Sequence, residues 1–72
     1  MKFKFHGMNT EVELESGNLI TYTKVDGMRF TGILLDWAMD SIRCSYAFSV
    51  LLESGVVVKI HKDLIFWCEV IS

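Results

Sequence analysis

The 72-residue sequence contains no proline and only two cysteines, and no apolar run approaches the ~18 residues that a membrane-spanning helix needs. Without proline, chain reversals fall to glycine. Gly7, Gly17, Gly27, Gly32 and Gly55 supply them, the first three ten apart. Turn residues at intervals of about 8–12 predict a small all-β domain of short strands. Cys44 and Cys68 form neither a C-x-x-C pair nor a zinc spacing, and both lie in alternating apolar segments. They read as buried free thiols in a reducing compartment. Cations are also scarce. Seven Lys and Arg against nine Asp and Glu leave a net charge of -2 and a pI near 5.5, which excludes a polybasic nucleic-acid clamp and allows only a local basic patch. The opening residues, Met1-Lys2-Phe3-Lys4-Phe5-His6, hold no secretory apolar stretch, so the expectation is a cytoplasmic protein without membrane contact. Catalytic motifs are missing as well. There is no G-x-S-x-G elbow, no phosphate-cradling glycine loop and no zinc-binding His-Glu helix, and His6 and His61 stand far apart. A non-enzymatic protein with no cofactor and no metal is expected.

What is present is apolar surface. Hydrophobic residues make up 51% of the chain and mean hydropathy is +0.36, which excludes a disordered tail. A single domain of this size buries only about 60% of its unfolded surface. The surplus is expected to be covered by further copies of the chain.

Strand periodicity runs through most of the sequence. Phe3 and Phe5 alternate with Lys2, Lys4 and His6, and Val12 and Leu14 alternate with Glu11, Glu13 and Glu15. Thr10 and Glu13 also have capping-box spacing, so residues 1–15 form an N-terminal extension of extra strand or short helix. Residues 19–25 and 28–35 flank Asp26-Gly27, a hairpin signal for a type I′ turn. Gly32 marks a sharp bend or a close backbone approach. Residues 36–40 read as an acidic loop. Residues 42–52 alternate without a break, a span of ~36 Å that is too long for so small a domain unless it bends, with the bend expected near 47–49. Residues 56–58 and 64–68 are apolar at successive positions, hence on both faces, and read as subunit contacts. The interface candidates are Val56, Val57, Val58, Ile60, Leu64, Phe66 and Trp67. Trp37 offers a stacking face, and His61-Lys62 offers cations for phosphate.

These residues resemble the Sm-like superfamily of small five-stranded barrels. The first Sm motif resembles residues 20–34, with turn glycine Gly27 and bend glycine Gly32 five apart and the aromatic Trp37 five beyond. The second resembles residues 57–67, and the likeness extends over 19–71. It implies a strongly bent, SH3-like barrel that assembles into a homo-oligomeric ring of about five to seven subunits. Such rings close by pairing the fourth barrel strand of one subunit with the fifth of the next. The resemblance also implies single-stranded RNA as a partner, with Trp37, Met39, Asp40, His61 and Lys62 as its site. The chain departs from the pattern at Ala38-Met39-Asp40-Ser41-Ile42, which lacks the family's leading Asp and its Asn, and at His61-Lys62-Asp63. These departures and the brevity of the chain fit a divergent member of viral origin. The other reading is the same small barrel used for protein contact, as an adaptor, an inhibitor or a structural ring.

Overall fold

The computed structural model describes residues 2–7 and 10–72. The break in alternation expected at residues 8 and 9 lies outside them. The described residues form seven strands: β1 (Lys2–Gly7), β2 (Thr10–Glu15), β3 (Leu19–Lys24), β4 (Arg29–Asp40), β5 (Ser45–Leu52), β6 (Val57–His61) and β7 (Ile65–Val70). A single 3₁₀ turn, Lys62–Leu64, joins the last two.

The N-terminal extension is strand in both halves. β1 and β2 pair antiparallel with Phe3 opposite Leu14 and Phe5 opposite Val12, so all four apolar side chains share one face. Lys2, Lys4 and His6 oppose Glu15, Glu13 and Glu11 on the other. The resulting ion pairs, such as Lys4–Glu11 at 3.4 Å, are more than half exposed and add little energy. Their value is to register, because a one-residue slip would turn the apolar face outward.

β3 to β7 form one antiparallel sheet in the order β6-β5-β4-β3-β7. Its inner face contributes Ile20, Tyr22, Leu34, Phe48, Val50, Ile60 and Cys68 to a core that the hairpin completes with Phe5 and Leu14. Phe3 pins the hairpin there by edge-on contacts with the rings of Trp37, Tyr46 and Phe48 at 5.6, 4.9 and 5.0 Å. Each such pair is worth roughly 0.5–1.5 kcal/mol beyond the area it buries. β6 and β7 each have a single strand neighbour, so the sheet has two open edges and is not closed into a barrel by its own hydrogen bonds.

Asp26-Gly27 does reverse the chain, but not through a type I′ turn. Gly27 has φ +90°, whereas Asp26 does not have positive φ. The Gly27 N–H donates to the Lys24 carbonyl and the Lys24 N–H to the Met28 carbonyl, both at 2.8 Å. This is a three-residue loop, a type I turn followed by a left-handed glycine. The Asp26 side chain accepts from the Met28 N–H at 3.0 Å and holds Asp26 at its own position in the turn. Gly27→Val is expected to cost about 1–3 kcal/mol, because a β-branched residue resists φ > 0. The check is thermal unfolding, where Tm should fall by at least about 5 °C.

Three local expectations are corrected. Residues 36–40 are not a loop. They continue β4, with Asp36 to Asp40 opposite Ser49 to Ser45 beyond a register shift at Leu35. That bulge lies in the partner strand opposite Val50 and Ser49, next to the place where the long alternating segment was expected to bend. The segment itself is shorter than its alternation suggests, since β5 begins at Ser45 after a turn over 41–44. Cys44 ends that turn at φ +53° and is exposed rather than buried, while Cys68 is buried as expected.

Candidate functional site

The five residues proposed to meet RNA gather at one end of the sheet. The register sets Trp37, Phe48 and Ile60 in one cross-strand row and Ala38, Ala47 and His61 in the next. Lys62 follows directly in the 3₁₀ turn. Asp40 closes β4 and organises this end. Its Oδ1 accepts from the Ile42 N–H at 3.0 Å and the Arg43 N–H at 3.3 Å, which shapes the turn into β5. Its Oδ2 lies 2.9 Å from His61 Nε2. The hydrogen bond from His61, with the Arg43 and Ile42 amides, holds the Asp40 carboxyl below the usual carboxylate range. At neutral pH the carboxylate is therefore ionised and only accepts, so Nε2 carries the proton and Nδ1 faces away.

A folded-state pKa below the unfolded value gives stability that is present above the unfolded value and lost as pH falls through the folded one. Asparagine at position 40 keeps the turn-shaping oxygen and removes the charge. Asp40→Asn is expected to be less stable than the parent at neutral pH, with the difference narrowing as pH drops below about 4. Urea unfolding at pH 7 and pH 2.5 reads this directly. An equal difference at both values would mean that the carboxylate charge does not contribute.

The other candidates are placed less favourably for phosphate. Lys62 Nζ stands 5.6 Å from the centre of the Phe5 ring. Arg43, nearby, pairs with Asp63 at 3.7 Å. Met39 is exposed. Trp37 is half-buried beneath Phe3 and borders a cleft of about 220 Å³ that it shares with Glu15, Ser16 and Asp36. No local pattern joins these carboxylates, because Glu15 comes from the hairpin and Asp36 from a segment that read as an acidic loop. The Arg43–Asp63 pair and the Phe5 ring under Lys62 also join residues too far apart for any local pattern to link.

The interface candidates fall on the two open edges and their approaches. Val56, Val57 and Phe66 are about half exposed, Val58, Leu64 and Trp67 are partly buried, and Ile60 lies in the core. The Arg29 guanidinium sits 5.3 Å from the Trp67 ring. Among the described residues, no three His, Cys, Asp or Glu side chains gather as metal ligands, and no helix is long and apolar enough to cross a membrane. No family model, curated protein or solved structure matches the chain.

Proposed function

We propose that the protein is a self-assembling, Sm-like β module. The β6 edge of one copy pairs with the β7 edge of the next, so that a sheet left open within each copy is closed by its neighbours in a ring. One observation carries this reading. The two segments that are apolar on both faces in the sequence, residues 56–58 and 64–68, are the two outer strands of the sheet and their approaches. Open apolar edges are aggregation templates unless something pairs with them. Head-to-tail pairing of two different edges generates closed rings when the rotation closes. In the family resemblance these are the fourth and fifth barrel strands.

Two uses of such a ring are distinguished by the residues at its His61–Lys62 end. Single-stranded RNA would meet Lys62 and His61 repeated around the axis, with weak contacts adding through multivalency. Protein contact is favoured by the charges: His61 is bonded to Asp40, Arg43 faces Asp63, and the Trp37 cleft is lined by Glu15 and Asp36. A phosphate chain approaching Trp37 meets carboxylates. The ring is therefore read as a protein-interaction module.

Native mass spectrometry of the protein with and without uridine-rich and adenine-rich oligonucleotides tests both parts. The expected spectrum shows a single oligomer of about five to seven subunits with no bound strand. A monomer at micromolar concentration overturns the assembly. Salt-sensitive RNA binding that Lys62→Glu abolishes, with the ring intact, overturns the protein-contact use in favour of RNA.

A further inference from the structure

The inner face of the sheet is not filled along its whole length. The hairpin packs over the Trp37 end. At the end nearer the Asp26-Gly27 and Ser54-Gly55 turns, a second cleft of about 250 Å³ opens, and no described residue of the hairpin lines it. Its walls are Phe30, Leu52, Val58 and Ile60, which come from three strands. Two polar side chains share the inner face with it, Tyr22 and Lys24; Lys59, between the inward Val58 and Ile60, borders it by its backbone.

Tyr22 is the informative one. It is 1% exposed, yet its hydroxyl makes no hydrogen bond to any described residue. Every fully buried side-chain nitrogen or oxygen among the described residues does have a partner. The Tyr22 hydroxyl is therefore not completely sealed in protein, and Tyr22 is one of the residues lining the cleft. Burial pushes its pKa up, with the neighbouring Cys68 adding to the effect, so it remains a neutral donor through the physiological range. No carboxylate lines this cleft. The Lys24 ammonium lies 5.9 Å from the centre of the Phe30 ring and makes a loose 3.7 Å contact with Asp26, which is half exposed outside the cleft. The two clefts thus have opposite character, acidic beside Trp37 and basic beside Tyr22.

We propose that the Tyr22 cleft binds a small aromatic carboxylate. The ring lies against Phe30, Leu52, Val58 and Ile60, and the carboxylate accepts from the Tyr22 hydroxyl and from the Lys24 ammonium. The size fits. An apolar cavity of about 150 Å³ holds benzene, and drug-sized ligands need roughly 300–1,000 Å³, so this space suits one or two fused rings and a carboxylate. A few polar groups converging on an apolar wall is the usual composition of a small-molecule site. The site does not depend on the ring reading.

The test uses 2-naphthoate as the probe and the uncharged 2-naphthalenemethanol as its control, with the assembled protein, by calorimetry and by amide chemical-shift mapping. The acid should bind at least about tenfold more tightly than the alcohol, with shifts at residues 22–30 and 52–60. Tyr22→Phe, which keeps the packing, should weaken the acid by about tenfold, the loss of a hydrogen bond to a charged acceptor. Lys24→Met should bind acid and alcohol alike. Equal binding of acid and alcohol by the parent overturns the proposal, as does an unchanged Tyr22→Phe variant or a shift map centred elsewhere. Binding only to protein dissociated by Lys59→Pro also overturns it, since the cleft would then be filled by the next copy.

Discussion

Gly32→Ala is expected to unfold the domain or come close to it. Gly32 sits in the middle of β4, opposite Leu52 on β5 and Ile20 on β3. A Cβ built there would stand 2.5 Å from the Leu51 carbonyl oxygen and 2.8 Å from Val50 Cγ1. The first neighbour is backbone of the paired strand and cannot swing aside. The second belongs to a side chain that is 0% exposed, so there is no room for it to rotate. Overpacking a well-filled core costs about 1–3 kcal/mol, and a clash with paired backbone belongs at or above the top of that range. Against a total stability of roughly 5–15 kcal/mol, Tm should fall by more than about 10 °C. The circular-dichroism melt of purified Gly32→Ala checks this. A melt like the parent's would mean that β4 and β5 do not approach as closely as described.

Lys59→Pro should dissolve the ring and leave the fold. The Leu52 N–H donates to the Val56 carbonyl at 2.9 Å, and the register continues with Val50 opposite Val58 and Phe48 opposite Ile60. In an antiparallel pair, hydrogen-bonded and non-bonded positions alternate. Residues 56, 58 and 60 therefore aim their main-chain groups at β5, while Val57, Lys59 and His61 aim theirs at the open edge. Proline at 59 removes only a donor that β5 does not use, which is the one place a strand tolerates it. Between copies it removes a ladder bond worth about 1 kcal/mol net, and its ring keeps the neighbouring strand away. Sedimentation of Lys59→Pro should show an 8.3 kDa species with a cooperative melt. Val58→Pro is the control and should unfold, because its N–H faces β5. A Lys59→Pro variant that sediments as the parent oligomer would falsify the β6–β7 seam.

Much of the strand layout was legible because it is local. Phe3, Phe5, Val12 and Leu14 declare their faces by period 2 alone. Gly27 announced a turn, although not its type, since a type I turn with a left-handed glycine and a type I′ turn both want glycine there. The acidic residues Asp36 and Asp40 misled for a physical reason. Composition argues for solvent, and Asp36 is exposed while Asp40 bonds to the following turn and to His61, but the backbone between them is held by pairing with Ser45 to Ser49. Nothing within residues 36–40 records the existence of that partner. Cys44 misled in the opposite way, continuing an alternation that a tight turn had already interrupted.

The candidate sites were less legible than the strands. Asp40 and His61 are 21 residues apart and meet at 2.9 Å because β5 lies between their strands and sets both registers. The Tyr22 cleft draws its lining from four strands, and only two of its residues, Tyr22 and Phe30, are direct cross-strand partners. By itself the sequence determined the all-β class, the strand periods and the reversal at Asp26-Gly27, because alternation and turn chemistry act over a few neighbouring residues. Which strands became the open edges, which carboxylates came to line the Trp37 cleft and which hydroxyl has no partner among the described residues were decided only in the tertiary structure, because those depend on register between segments whose local sequences carry no record of one another.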